Sequence, residues 1–422
     1  MKTIDTLRHS LGKDFVRNSL TSASTFAQII TFAVYPIITR LYSPENFGIL
    51  NLLLTIVGLL AIASTGRYES AIVMESENHS AKSLLQLIFV INIIFFVVIQ
   101  LVFSLFSHPI ASLFKSGTSL EPWLPMIPLM VLLMGLWQGL NNYFIREKRF
   151  KMIGCYSLTK SIVNSGSKIG FGLAGMLQSG LIISTLIGLF TSLAVAFSAV
   201  IKKCKDFFRF DKEEIKKMAK KYANFPKFEL PQAISNSLAS NLPLLLLPLC
   251  FTMDEIGLFS LALTIGFTPV FIFNGAMDQV LYKQSVDLLH NNQSIRNTIR
   301  NFCLGTTAAL LPIFILFFFI SEWFFGFVFG EQWVEAGLYF KILLPWLFMV
   351  TLTSSLTFIP KLFFKQKTAM MIEFTYFILR VLVLLYGICI KNFTHAIIGF
   401  GIVSTLMVTI QLIWYFLLIK RH

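Results

Sequence analysis

Lysine and arginine side chains occur deep within apolar stretches of this sequence, where they could bind an anion. Lys160 and Lys168 share one stretch with Asn164, and Arg380 lies in another. A charge at the centre of a bilayer costs about 2.5–3.5 kcal/mol even on a lenient insertion scale, so such residues normally face an internal cavity and mark a pathway. Lysine and arginine are natural partners of phosphate groups. These residues therefore predict an anionic ligand such as a phosphate or diphosphate.

The stretch that contains the two lysines has a repeating polar pattern. Tyr156, Lys160, Asn164 and Lys168 recur every four residues, with serines alongside them. On a helix this spacing predicts a polar stripe that faces water or substrate. The glycines of the same stretch are better explained by close helix packing than by phosphate binding, because the string SGSKIG lacks the P-loop pattern.

Acidic side chains form a second group of candidates. Arg67 and Glu69 stand two residues apart in the string STGRYESAIVM, and Asp278 and Glu373 lie in later apolar stretches. The acids could neutralise neighbouring cations, or they could bind a proton or sodium ion whose gradient drives transport. For those nearest the cytoplasm, local ion pairing or snorkelling is the favoured interpretation. Glu373 and Arg380 share a helix face but are too distant to pair, so we expect each to meet another helix.

The composition predicts the elements that position these residues. The 422-residue chain is 55% hydrophobic and only 13% charged, and its mean hydropathy is +0.73. Soluble domains carry about 25% charged residues, so the chain is predicted to be an all-α, polytopic membrane protein. Its apolar runs predict about twelve helices long enough to cross a bilayer. They cover residues 18–41, 46–72, 83–106, 122–145, 152–176, 179–201, 226–251, 255–282, 301–321, 336–360, 368–390 and 394–419.

The basic residues predict the topology. Lysines and arginines concentrate in alternate loops, which places both termini and the long 202–222 loop in the cytoplasm. The formal net charge of +14 then reflects topology and attraction to anionic membrane lipids rather than nucleic acid. No cleavable signal peptide is expected, and the five isolated cysteines predict neither a disulfide framework nor a zinc site.

The 202–222 loop divides the predicted helices into two sets of six. We predict a lobe over residues 1–201, an amphipathic linker over 202–222 that lies on the inner membrane surface or is solvated, and a second lobe over 223–422. SPENFGILNLLLTI at 43–56 aligns with TMDEIGLFSLALTI at 252–265, which pairs Gly48 with Gly257 and, further on, Glu69 with Asp278. The alignment indicates either an internal repeat in one orientation or simply two helix starts with hydroxyl caps.

Three strings resemble a known family: FVRNSL, YPIITRLYSPENFGILNLLLTIVGLLAIASTGRYESAIV and LPLLLLPLCFTMDEIGLFSLALTI. They resemble the polysaccharide-transport branch of the multidrug/oligosaccharidyl-lipid/polysaccharide exporter superfamily, and within it the O-antigen flippases. The resemblance implies two pseudo-symmetric six-helix lobes around a central cavity. It also implies flipping of undecaprenyl-diphosphate-linked oligosaccharide across the bacterial inner membrane. The family's cationic cavity makes Arg17, Lys160, Lys168 and Arg380 candidates for substrate binding.

Three alternatives to a flippase have different requirements. An ion-coupled multidrug or small-molecule exporter would share the fold, but an exporter of cations would need an acidic pocket. A membrane-embedded glycan polymerase would need a large outer loop with catalytic groups, whereas the predicted outer loops are short and lack an HExxH or GxSxG motif. A scaffold for envelope assembly would not need buried cations. We therefore predict a transporter that is not an enzyme and requires no cofactor. The family resemblance further implies that it acts beside other polysaccharide assembly proteins.

Overall fold

The computed structural model describes residues 23–203, 207, 209–291 and 293–421. Every regular element in this part of the chain is helical, which confirms the predicted all-α class. The chain divides into two compact units, Ser22–Gly257 and Leu258–His422. The predicted division into six-helix lobes on either side of the 202–222 linker remains a prediction.

The first unit contains α1 to α12 and the beginning of α13. The bounds are α1 Ala23–Leu41, α2 Pro44–Ser64, α3 Tyr68–Met74, α4 Asn78–Leu105, α5 Ser107–Ser112, α6 Gly117–Leu120, α7 Ile127–Arg146, α8 Phe150–Leu173, α9 Leu177–Lys203, α10 Lys212–Lys221, α11 Leu230–Ser240, α12 Leu242–Leu246 and α13 Met253–His290. A π-helical turn covers Phe225–Glu229, and 3₁₀ turns cover Glu121–Met126 and Leu247–Leu249. Helix α7 packs against α2, α3 and α4, and α8 packs against α1 and α9.

The second unit contains the rest of α13 and five further helices. They are α14 Arg296–Phe329, α15 Val334–Ser354, α16 Ile359–Leu362, α17 Gln366–Cys389 and α18 Phe393–Arg421, with a 3₁₀ turn at Glu331–Trp333. Helix α15 packs against α14 and α18, and α17 packs against α18. Helix α18 is therefore the neighbour that α15 and α17 share.

Nine segments of the described chain are helical, long enough and apolar enough to cross a membrane. The predicted number of twelve is thus approximate, and the three remaining segments differ for identifiable reasons. The apolar part of α1 that can be measured is short, at Phe26–Leu41, and α8 is too polar. The predicted seventh span breaks into short helical pieces, because prolines at 226, 231, 243 and 248 interrupt its backbone hydrogen bonds.

The two aligned strings do start helices, and their aligned glycines meet. Helix α2 begins after Ser43, whose hydroxyl accepts a hydrogen bond from the backbone N–H of Asn46. At the start of α13 the Glu255 carboxylate accepts hydrogen bonds from the backbone N–H and hydroxyl of Thr252, a capping box. A Cβ atom on Gly48 would overlap the Met253 carbonyl oxygen, and one on Gly257 would overlap that of Pro44. Both glycines are therefore needed for backbone contact between the two helix starts.

Replacing Gly48 with alanine is expected to lower the free energy of unfolding by about 1–3 kcal/mol, because the two helices would have to move apart. Gly58 in the same helix is the matched control, since a Cβ atom there would meet nothing within 4 Å. Gly58→Ala should be neutral or stabilise by up to about 1 kcal/mol. Thermal unfolding in detergent measures both variants. Equal stability of the two would show that the close approach at Gly48 is not required.

Residues between α9 and α11 pack against helix α4. The side chains of Phe207 and Met218 are each only 1% exposed and pack in a cluster with residues of α4. Gln86 of α4 donates hydrogen bonds from its amide nitrogen to the carbonyl oxygens of Phe207, at 2.5 Å, and Arg209, at 3.0 Å. The predictions of a membrane-lying or solvated linker omitted this docking, because its partner Gln86 is remote in sequence.

An ion pair holds the end of α10 to the α3–α4 connection. Lys221 Nζ lies 2.6 Å from Glu75 Oε2, and the Tyr222 hydroxyl donates to the same oxygen at 2.9 Å. Burial alone would raise the pKa of the Glu75 carboxyl, but the hydrogen bonds from Lys221 and Tyr222 lower it to about 2. Because the folded pKa lies below the ordinary value of 4.5, the link stabilises the fold fully above about pH 4.5. Its contribution is lost as the pH falls from about 4.5 toward 2.

Glu75→Gln is expected to lower the unfolding temperature most at neutral pH. The difference from the unsubstituted protein should shrink as the pH falls below about 4.5, because Glu75 then becomes protonated in the unfolded chain and later in the folded one. Thermal unfolding at a series of pH values measures this. Glu77→Gln is the control, since Glu77 is exposed. The same pH profile for both variants would contradict the assignment to Glu75.

Candidate functional site

Helix α8 directs its polar residues in two directions. Ser161 and Ser165 are buried, and the Ser161 hydroxyl donates to the Ala27 carbonyl oxygen of α1 at 2.7 Å. Close packing of α9 is permitted by Gly188, where a Cβ atom would press on Asn164. Ser161 therefore joins two helices, whereas Lys160, Asn164 and Lys168 are partly exposed.

The two lysines of α8 have no compensating charge in the described chain. Both are half-buried, and no described carboxylate lies within 4.0 Å of either ammonium group. Lys160 Nζ lies 5.2 Å from the centre of the Trp137 ring, a cation–π contact. The lysines stand eight residues apart, about 12 Å along the helix. They form a cationic face that an anion can neutralise.

Asn164, between the two lysines, has an unsatisfied acceptor. Its Oδ1 atom is buried, and no described residue donates a hydrogen bond to it. An unpartnered buried polar atom costs free energy unless a ligand or water pairs with it. The structure thus brings together the predicted residues Lys160, Asn164 and Lys168 on α8, whereas Arg17 lies outside the described residues.

The prediction that Tyr156 belongs to the exposed stripe is wrong. Its side chain is fully buried, and its hydroxyl donates to Asn141 Oδ1 at 2.5 Å. Its ring packs against Trp137 and Phe144 of α7, with centroids 5.9 Å apart in each pair. The four-residue spacing placed Tyr156 on the correct face, but the cationic face begins one turn later, at Lys160, because α7 covers Tyr156.

In the second unit, Arg380 of α17 is surrounded by aromatic rings. Its guanidinium carbon lies 3.8 Å from the Tyr376 ring centre, 5.0 Å from that of Phe400 and 5.2 Å from that of Trp346. The guanidinium also donates to the Tyr376 hydroxyl and to Ser404 Oγ, the latter at 3.3 Å. Sequence reasoning missed Phe400 and Trp346, and only Tyr376, one turn before Arg380, carried a local signal. The enclosure fixes the plane of the guanidinium.

The acidic candidates of the second unit lie in open surroundings. Glu373 is exposed and accepts a hydrogen bond from Gln411 of α18 at 2.9 Å. Arg380 of α17 donates a hydrogen bond to Ser404, which also lies on α18. The expectation that Glu373 and Arg380 each meet another helix is therefore confirmed. Asp278 on α13 is exposed and forms no ion pair with a described residue. Its environment therefore differs from that of its aligned residue Glu69, which is 3% exposed.

Arg67 and Glu69 stand close in sequence because the chain turns sharply between α2 and α3. Gly66 and Arg67 both have positive φ, at 58° and 62°, an arrangement that is costly for arginine. Arg67 donates to Glu69 Oε1 at 3.0 Å and to Glu229 Oε1 at 2.6 Å. Ser70 donates to the same Glu229 oxygen at 2.9 Å. Arg67 thus forms an ion pair with its sequence neighbour Glu69 and another with Glu229, which comes from the remote π-helical turn.

Comparison with known proteins decides the family. The profile of a polysaccharide biosynthesis protein family matches residues 37–338, well over half of the 422 residues. The chain belongs to this family. It is similar to the succinoglycan biosynthesis transport protein ExoT of Rhizobium meliloti (strain 1021), at 23% identity over 356 residues that cover 81% of this chain and 67% of that protein.

Two solved structures with a similar fold are of proteins described as a flippase and a transporter. The lipid II flippase MurJ in an inward closed conformation matches at a TM-score of 0.63 and 13% identity, over 94% of this chain and 88% of that one. The Vibrio cholerae MATE transporter VcmN matches at 0.58 and 15% identity, over 99% of both chains. The resemblance to the polysaccharide-transport branch is thus confirmed. This family member is a multi-pass membrane protein.

Proposed function

We propose that this protein flips an oligosaccharide linked to undecaprenyl diphosphate from the inner to the outer leaflet of the bacterial inner membrane. The translocated unit serves the synthesis of O-antigen or another surface polysaccharide, and both termini lie in the cytoplasm. The observation that carries the proposal is the pair of uncompensated ammonium groups of Lys160 and Lys168 on α8. A lipid-linked diphosphate supplies the negative charge that this face lacks.

The chemistry of such a substrate explains why a protein is needed. Its diphosphate and sugars would have to leave water to cross the hydrocarbon, at a cost of many kcal/mol. In the proposed mechanism Lys160 and Lys168 attract the diphosphate, Asn164 accepts a hydrogen bond from the head group, and the polyprenyl tail stays in lipid. Alternating access then delivers the head to the other side. Arg380 and Arg17 are further candidate partners of the anion.

The driving force is proposed to be a proton or sodium gradient. Glu69 has a buried oxygen, Oε2, to which no described residue donates, and Asp278 and Glu373 have exposed carboxylates. These acids are the candidates for ion coupling. Export of an organic cation is less well supported, because the half-buried charges of α8 that lack an ion-pair partner among the described residues are positive.

The proposal is tested by the leaflet in which lipid-linked oligosaccharide collects when cells lack this protein. We expect the oligosaccharide to accumulate on the cytoplasmic leaflet, shielded from a membrane-impermeant glycosidase added to spheroplasts, and to be released when the gene is restored. Oligosaccharide that reaches the outer leaflet but remains unpolymerised would overturn the flippase proposal and indicate a later, enzymatic step.

A further inference from the structure

A second polar site lies in the first unit, beside the Arg67 turn. It is an open cleft of about 600 Å³, within the range of about 300–1,000 Å³ typical of small-molecule sites. We call it the α11 cleft. Its lining residues are Arg67, Asn224, Phe225, Phe228, Glu229, Gln232, Ala233 and Asn236.

Three amide side chains of the α11 cleft are available to form hydrogen bonds with a ligand. Those of Asn224, Gln232 and Asn236 are exposed and form no hydrogen bond with another described residue. Gln232 and Asn236 are one turn apart on α11, so both point to the same side. Each amide offers donors and an acceptor together, which matches hydroxyl groups that also donate and accept. The π-helical turn at the start of the broken seventh segment presents Phe228, 70% exposed, at the same cleft.

The charges of the cleft argue against a phosphate ligand. Arg67 is shared between Glu69 and Glu229, so this cluster contains one cation and two carboxylates. Lys227 is exposed but does not line the cleft. A diphosphate would meet more negative than positive charge here. A neutral ligand rich in hydroxyl groups could instead form hydrogen bonds with the three amides and with the Arg67–Glu229 pair. The ring of Phe228 offers an apolar face for the C–H groups of such a ligand.

We infer that the α11 cleft binds the sugar part of the substrate, separately from the cationic face of α8 that takes the diphosphate. The inference rests on the proposed function and assigns recognition of the saccharide to Gln232, Asn236 and Phe228. Selectivity for the repeat unit is then set by side chains of the broken seventh segment, and the Arg67–Glu229 pair fixes the wall against which the sugar lies.

Binding of two separate probes by the purified full chain tests the inference. One probe is the free oligosaccharide released by mild acid from the cell's lipid-linked intermediates, and the other is undecaprenyl diphosphate without sugar. Saturation-transfer NMR measures the first, and displacement of a fluorescent undecaprenyl diphosphate measures the second. Gln232→Ala combined with Asn236→Ala should weaken oligosaccharide binding at least tenfold and leave undecaprenyl diphosphate binding unchanged.

Two further variants separate recognition from folding. Phe228→Leu keeps an apolar side chain but removes the ring, and should also weaken oligosaccharide binding. Ser235→Ala is the control, because Ser235 lies on α11 outside the lining, and within the described part of the chain its hydroxyl donates only to the Pro231 carbonyl oxygen. Normal undecaprenyl diphosphate binding shows that each variant is folded.

The outcomes distinguish this inference from the proposed function. Failure of the wild-type protein to bind the oligosaccharide, or equal binding by the double variant, would overturn the assignment of the α11 cleft while undecaprenyl diphosphate binding stands. Failure of the wild-type protein to bind undecaprenyl diphosphate would instead overturn the proposed function. Loss of oligosaccharide binding in the double variant and in Phe228→Leu, but not in Ser235→Ala, supports the inference.

Discussion

Replacing Lys160 and Lys168 together with alanine is expected to reduce transport at least a hundredfold without reducing the folded yield. Transport should fall because both charges that attract the anion are lost. The folded yield should not fall, because neither ammonium group has a described carboxylate partner within 4.0 Å that would be left unpaired. Each charge therefore costs desolvation free energy that no ion pair offsets. Removing the charges should leave stability unchanged or raise it, as is common where a site is maintained for function.

The single variants should be less severe. The two side chains stand about 12 Å apart along α8, so either one can still attract the anion when the other is lost. Arginine at both positions keeps the charge and should preserve a measurable fraction of transport. Lys151→Ala is the matched control, because Lys151 is an exposed lysine in the first turn of the same helix. Accumulation of lipid-linked oligosaccharide per folded protein measures all variants. A double variant that unfolds readily yet transports normally would show that the lysines have a structural role.

Arg380→Ala is expected to lower transport more than tenfold, and Arg380→Lys should fail almost as badly. Lysine keeps the charge, but it cannot stack flat on Tyr376 while bonding Ser404 and the Tyr376 hydroxyl. A desolvated cation–π contact is worth about 2 kcal/mol, which corresponds to a loss of roughly thirtyfold when the geometry is destroyed.

Matched variants of the ring distinguish orientation from charge. Tyr376→Phe keeps the stacked ring and removes only the hydroxyl, so its effect should be smaller than that of Arg380→Lys. Tyr376→Ala removes the ring and should approach Arg380→Lys. Transport per folded protein is again the measurement. Full activity of Arg380→Lys would show that charge alone is needed and that the aromatic enclosure of Arg380 serves packing.

From the sequence, the polar residues within apolar helices could be identified more reliably than the residues that they contact. Helical spacing placed Lys160, Asn164 and Lys168 on one helix face, and the structure leaves all three partly exposed. The same spacing put Tyr156 with them, because periodicity along one helix does not say where a second helix covers it. Trp137 and Phe144, which bury Tyr156, come from the preceding helix α7.

Partners remote in sequence account for the rest. Glu229, which pairs with Arg67, is 162 residues away along the chain, so the sequence could offer ion pairing only as a favoured interpretation. The repeat alignment paired Gly48 with Gly257 as similar positions, but their contact with opposing backbones required the three-dimensional arrangement. The break of the seventh span was partly predictable, since four prolines interrupt it.

The proposed flipping of lipid-linked oligosaccharide is tested most directly with the purified protein in proteoliposomes. Undecaprenyl diphosphate carrying a sugar with a fluorescent label is placed in both leaflets, and a membrane-impermeant quencher is added outside. With the wild-type protein, we predict that quenching proceeds from about half to nearly all of the label, whereas with Lys160→Ala/Lys168→Ala it stops near half. Quenching that stops near half with folded wild-type protein, whether or not an ion gradient is applied, would contradict the assignment of this chain as a flippase of lipid-linked oligosaccharide.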